Sequence, residues 1–207
     1  MIGVISGYRT GSTTLIQGLT RLFKLNYNTR HTGELDFTHS HYYTPHRTDI
    51  IYKFMPGSLP KDSEHWERVH EDWLSKSSLV FSLRHDISAQ IKSYALANVT
   101  GIWHTHTWAD DGVQEYNNAN DTNFTDAEDI ATDIAMNISL EDLDNYRQQF
   151  SQNLTRQNEL YQTYGGIVSV LEDRFDRNEE YSLPFRYPEH LLNWHCGFEL
   201  EDYFTYK

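Results

Sequence analysis

Apolar positions along this chain follow two alternating periods. Short, nearly continuous apolar or β-branched runs occur at Met1 to Ser6, Leu25 to Thr29, Asp49 to Met55, Leu79 to Leu83 and Ile167 to Leu171, and these predict strands. Between them, apolar residues recur at helical spacing. Leu15, Leu19, Leu22 and Phe23 follow the first run, and Trp66, Val69, Trp73 and Leu74 follow a cap at Asp62 or Ser63. Ile87, Ile91, Ala95 and Val99 follow a cap at Asp86. Thr125 with Glu128 reads as a capping box before Ile130 and Ile134. Ser139 with Asp142 opens a longer helix through Leu143, Phe150, Leu154 and Tyr161, stopped by Gly165-Gly166. A short helix is expected near Pro188 to Trp194, inside an aromatic tail that is either core or interface. His104 to Thr125 is rich in Asp and Asn with little apolar pattern, and reads as a long loop or lid.

Strands alternating with helices predict a three-layer α/β fold, a mainly parallel sheet flanked by helices. A length of 207 residues suits one domain spanning 1–207. Ligands of such sheets bind at the carboxyl ends of the strands, near the switch in strand order. That rule gathers the Gly7 turn, Pro56, Arg84 and Glu172 on one rim.

Charge and cysteine content narrow the partners. A formal charge of −13 disfavours a nucleic-acid or anionic-membrane binder, since either needs an extended positive surface. The single Cys196 excludes an internal disulfide framework. No basic-then-apolar leader or long apolar span is visible, so a cytoplasmic protein is expected. Any anionic ligand has to be held by local donors in an acidic protein.

Gly7-Tyr8-Arg9-Thr10-Gly11-Ser12-Thr13-Thr14 offers such donors. It joins the first strand to the first helix, whose leading N–H groups and dipole favour an anion. Gly7 and Gly11 permit close backbone approach, Arg9 brings fixed charge, and Ser12, Thr13 and Thr14 bring hydroxyls. The loop is not a Walker A loop. Three residues, not four, separate the glycines, and Ser12 stands where the lysine is required. Taken alone, the stretch fits a plain strand–helix turn as well as a phosphate or sulfate cradle. A second candidate lies at Arg84, where a buried strand ends, with Ser93 nine residues on in the following helix. An arginine in that place is by itself as consistent with a solvated charge. Two anion-binding sets on one rim are more specific than either.

In carrying both sets, the chain resembles sulfotransferases that use 3′-phosphoadenosine 5′-phosphosulfate (PAPS). Arg9-Thr10-Gly11-Ser12-Thr13 matches that family's loop on the 5′-phosphosulfate, and Arg84 with Ser93 matches its 3′-phosphate pair. The offset, with Asp86, Gln90 and Thr100-Gly101-Ile102-Trp103-His104, is most similar to bacterial carbohydrate sulfotransferases of the trehalose type. Lys53 ahead of Pro56 and Leu171-Glu172-Asp173 also resemble the family. The resemblance implies a P-loop-like fold, a hydroxyl acceptor on a carbohydrate or other small molecule, PAP (adenosine 3′,5′-bisphosphate) as product, and no required metal. It implies cofactor contacts from Arg9, Thr10, Gly11, Ser12, Thr13, Thr14, Lys53, Arg84 and Ser93. Arg9 is the implied leaving-group charge.

The departures are specific. Met55 stands where the cytosolic aryl and steroid enzymes have a catalytic histidine, and their late Arg-Lys-Gly segment is missing, with Arg174 and Arg177 as untied substitutes. Glu34, in the loop where trehalose-type enzymes place a glutamate, is therefore the expected catalytic base, with His31, His39 and His104 in reserve. The pairs His39/His41 and His104/His106 lack the further ligands of a structural zinc site, and no metal is expected. Trp103, Trp108 and Tyr116 either pack the lid or offer flat faces to a sugar. The alternatives are a kinase-like phosphotransferase and a catalytically inactive nucleotide-binding protein. The sequence leaves oligomeric state and acceptor open, the latter resting on the loops Arg30 to Arg47 and His104 to Thr125.

Overall fold

A computed structural model describes residues 1–27, 50–55, 71–100, 110–174 and 188–206. In chain order they form β1 (Ile2–Ser6), α1 (Ser12–Phe23), β2 (Asn26–Tyr27), β3 (Ile50–Phe54), α2 (described over 71–76) and β4 (Ser78–Leu83). There follow α3 (Ile87–Thr100), α4 (Asp110–Asn120), α5 (Ala127–Ala135), α6 (Leu140–Tyr164), β5 (Ile167–Val170), α7 (Leu171–Arg174), α8 (Glu189–Leu192) and a 3-10 turn at Leu200–Asp202. The chain gathers into two compact units. The first comprises Met1–His85, Gln149–Asp176 and Glu199–Lys207, and the second Asp86–Gln148 and Arg177–Phe198.

The first unit holds a five-stranded sheet in the order β2-β3-β1-β4-β5, with every neighbouring pair parallel. The expected α/β class and parallel sheet are therefore present. Because all strands point one way, their carboxyl ends share one edge. From β1 the chain goes to β2 on one side, and from β4 to β5 on the other, so the strand order switches between β1 and β4. Ser6 stands beside Ser82 across that boundary.

The central strands of this unit are buried on both faces, so successive side chains join different clusters. Val4, Ile16 and Ile51 form one cluster, with Leu15, Leu19 and Leu25 packed on it. The apolar row predicted for α1 is corrected at its end: Leu22 is 71% and Phe23 55% exposed. The helix stops at Lys24 in left-handed conformation (φ 51°), and its buried stripe runs through Ile16 instead. Tyr52, one residue further along β3, meets Trp73 edge-on at 4.5 Å, and its hydroxyl pairs with Ser77 Oγ at 3.0 Å. Burial pushes its phenol well above the ordinary pKa. Gly3 makes room for that ring, since a Cβ there would lie 2.5 Å from the Tyr52 hydroxyl and 2.7 Å from Cζ. Gly3→Ala is therefore expected to cost about 1–3 kcal/mol through overpacking. Tyr52→Phe in the same chain should return part of it, and urea unfolding of the single and double variants measures both.

Within the aromatic tail, Leu200 and Phe204 belong to the core. Phe204 is 1% exposed and lies against Phe81 (5.9 Å) and Tyr161 (5.2 Å). Gln162 Nε2 donates to the Thr205 carbonyl, and Thr205 N–H donates to Asn158 Oδ1. The predicted strand at Leu25 to Thr29 is described only at Asn26–Tyr27, at the sheet edge.

In the second unit, Asp86 caps α3 as expected, accepting from the Ala89 N–H at 2.7 Å. Ile87, Ile91 and Ala95 are buried, whereas Val99 is 42% exposed and leaves the predicted row. Lys92 is also buried and donates to the Leu192 carbonyl at 3.1 Å. Its burial lowers the ammonium pKa, opposed by Asp86 and Cys196. Ser139 and Asp142 form the predicted cap of α6, each backbone N–H donating to the other side chain; the Ser139 hydroxyl, and then its N–H, donate to the Asp142 carboxylate and hold it below its usual range.

Two expectations here are overturned. Thr125 and Glu128 are not the cap of α5, because Asp126 takes that place, accepting from Asp129 N–H at 2.9 Å. The stretch 104–125 is no featureless lid either, since Asp110–Asn120 is helical. Asn117 organises its exit, accepting from Thr122 Oγ1 and Phe124 N–H and donating to the Phe124 carbonyl. The Asn residues that suggested a loop are thus the groups that tie a helix to its turn. No described helix is long and apolar enough to cross a membrane.

Candidate active site

Gly7 leaves β1 at the switch point, and the chain has to reverse into α1 within a few residues. It does so through two left-handed residues, Arg9 (φ 58°) and Gly11 (φ 68°). Gly11 occupies that region without cost, whereas Arg9, which has a Cβ, is strained there. Alternating handedness of this kind is the backbone pattern in which successive N–H groups can face one side of a loop. Thr10 is 2% exposed and its hydroxyl donates to the Gly7 carbonyl at 3.3 Å, so this side chain braces the turn. Ser82 Oγ on β4 donates to the Thr10 carbonyl at 3.1 Å and fixes the loop to the neighbouring strand.

The start of α1 is uncapped by any side chain. Its first intrahelical bond is Leu15 N–H to the Gly11 carbonyl, so the N–H groups of Ser12, Thr13 and Thr14 precede the ladder. Ser12 is 5% exposed, and Thr13 and Thr14 are exposed. Just before the loop, Ser6 Oγ is buried with no hydrogen-bond partner among the described residues. An uncapped helix start, two left-handed residues and an orphaned hydroxyl at one strand end are features that suit an oxyanion.

Arg84 follows β4 at the same sheet edge. Its Nε donates to Glu172 Oε1 at 3.3 Å, and the His85 backbone N–H donates to Glu172 Oε2 at 2.9 Å. His85 Nδ1 lies 3.4 Å from Glu201 Oε1. The predicted strand end at Leu171-Glu172-Asp173 is corrected: β5 ends at Val170 and these residues open α7. Lys53 is half-buried on β3, opposite Val4 and one residue short of the strand's end. Ser93 lies on α3 in the second unit and is 3% exposed.

The structure thus brings Arg9, Thr10, Gly11, Ser12, Thr13, Thr14, Lys53 and Arg84 into one unit. Glu34, Pro56, Trp103, Trp108, Arg177 and His31, His39, His41, His104 and His106 lie outside the described residues. Tyr116 meets Phe124 at 6.1 Å within its own segment, as a packing ring does. Ser82 was missed in the sequence, although its interruption of an apolar strand was an available signal. Glu172 was expected on the rim from its position after a strand, but its pairing with Arg84 was not. No family model, curated protein or solved structure matches the chain.

Proposed function

We propose that this protein is a PAPS-dependent sulfotransferase acting on a hydroxyl of a carbohydrate or another small molecule, built on a P-loop-like sulfotransferase architecture. The observation that carries the reading is the pairing of two cationic ends at one switch point: the Arg9–Gly11 turn after β1 and Arg84 after the adjacent β4. In this reading PAPS supplies the sulfuryl group. The turn and the first N–H groups of α1 hold its 5′-phosphosulfate, and Arg84 holds the 3′-phosphate, with Ser93 carried over from the resemblance. An acceptor oxygen attacks sulfur in line, a new S–O bond forms, and the S–O bond to the 5′-phosphate breaks. Arg9 stabilises the charge gathering on that phosphate, and Glu34 takes the acceptor's proton.

Titration calorimetry with PAP in the presence of a chelator tests this. Wild-type protein is expected to bind, and Arg84→Ala to bind roughly 10- to 100-fold more weakly, the loss of a charge-assisted contact. Glu34→Ala should keep PAP affinity and lose transfer. Absence of PAP binding rules the reading out, and tight binding of ATP with magnesium in its place would favour the phosphotransferase.

A further inference from the structure

We infer that Glu172 is a positioning residue, holding the Arg84 guanidinium side-on so that its two Nη groups are left for an anionic ligand. The inference rests on the sulfotransferase reading for the identity of that ligand, but its geometry stands on the fold. Arg84 and Glu172 arrive from different strands. Leu83 and Val170 are register partners in the β4–β5 pair, so the chain emerges from both strands at one level and then delivers Arg84 from one and Glu172, two residues on, from the other. Glu172 Oε1 takes Arg84 Nε–H while Oε2 takes the backbone N–H of His85. The second bond matters as much as the first. It anchors the carboxylate to the backbone next to Arg84, so the acceptor cannot follow the arginine through other rotamers.

An arginine has five N–H donors, one on Nε and four on the two Nη atoms. Occupying Nε removes the side-on edge from use and leaves the end-on edge for a bidentate phosphate. Among the described residues no partner takes either Nη group of Arg84. The side chain is largely covered at 16% exposure, and Glu172 at 32%. An arginine at a strand end would ordinarily lose rotamer freedom on gripping a ligand, and Glu172 removes that cost beforehand.

The carboxylate also brings a negative charge close to the proposed anion site, and this gives the test its sign. If Glu172 acts only as a charge, its removal tightens anion binding. If it positions Arg84, removal weakens binding despite the loss of that repulsion.

The experiment measures PAP and adenosine 5′-phosphosulfate, which lacks the 3′-phosphate, by calorimetry against wild type, Glu172→Ala, Glu172→Asp and Arg84→Ala. Thermal unfolding is followed in parallel. Positioning predicts that Glu172→Ala and Glu172→Asp each bind PAP roughly 3- to 10-fold more weakly. The aspartate keeps the charge but is too short to span both donors. Affinity for the phosphosulfate without a 3′-phosphate should stay at the wild-type value in both, which a general loosening of the fold would not allow. In the Arg84→Ala background, Glu172→Ala should cause no further loss, since the two residues act as one unit. Wild-type affinity in Glu172→Asp with tighter binding in Glu172→Ala overturns the inference and leaves the sulfotransferase reading standing, provided Arg84→Ala still weakens PAP. Failure of the wild-type protein to bind PAP overturns both.

Discussion

Arg9→Gly is expected to lower the transfer rate on the order of 10³-fold while leaving the fold intact, because the position asks for a glycine and the proposed leaving-group role asks for an arginine. A residue with a Cβ at φ 58° carries roughly 1–2 kcal/mol of backbone strain, which glycine relieves. Glycine in turn loses about 0.4–1 kcal/mol through the greater freedom of the unfolded chain. The two terms nearly cancel, so thermal unfolding of Arg9→Gly should fall within about 1 kcal/mol of wild type. The rate is read as PAP released from PAPS with a disaccharide acceptor. Arg9→Lys keeps a charge but not a planar fork, and should fall between the two. The loss belongs to kcat more than to PAPS affinity, since the charge on the leaving phosphate grows only as the S–O bond breaks, and PAP, which carries that charge in full, should bind more weakly as well. A glycine variant that turns over at the wild-type rate removes Arg9 from the mechanism.

A strained arginine has no signature of its own in the sequence. Gly7 and Gly11 announced a tight turn, and the turn is there, but Gly11 alone of the two adopts positive φ, and Arg9 is the other left-handed residue. Residue identity marks where such a backbone is cheap, not where ligand chemistry makes it worthwhile. The parallel sheet was legible because strands buried on both faces leave nearly continuous apolar runs, as in Leu79 to Leu83. Helices were legible where one face meets solvent. On α3, residues 90–97 are all buried, so the row through Ile87, Ile91 and Ala95 was only part of its apolar surface and its projection to Val99 failed. On α4 the reverse held: few buried apolar positions and many Asn side chains hid a helix whose exit is fixed by Asn117 hydrogen bonds. The Arg84–Glu172 pair is separated by 88 positions, and only the β4–β5 register brings it together. Pairs of that kind are a property of the sheet, and no local pattern encodes them.

Phe204→Ala is the second large effect expected, and it links the tail to the site. The ring is buried to 1% exposure and is one of three aromatic side chains, with Phe81 and Tyr161, that close on one another in the first unit. Truncating such a residue costs about 3–5 kcal/mol, part transfer and part cavity. At 2–4 °C per kcal/mol for a chain of this size, the melting temperature should fall by roughly 6–20 °C. Tyr206→Ala, two residues on and 36% exposed, should change stability by less than about 1 kcal/mol. The contrast separates a buried anchor from general aromatic content. Phe81 lies on β4, one residue from Ser82, which holds the Thr10 carbonyl, and three from Arg84. The segment that carries Phe204 also carries Glu201, which meets His85. A cavity beside Phe81 therefore loosens the strand from which both proposed anion-binding sets are braced, and PAP affinity in Phe204→Ala should drop at temperatures where the protein is still folded by circular dichroism. If Phe204→Ala melts with wild type, the tail is not core; if it melts early with PAP affinity unchanged up to the transition, β4 does not depend on it for the site.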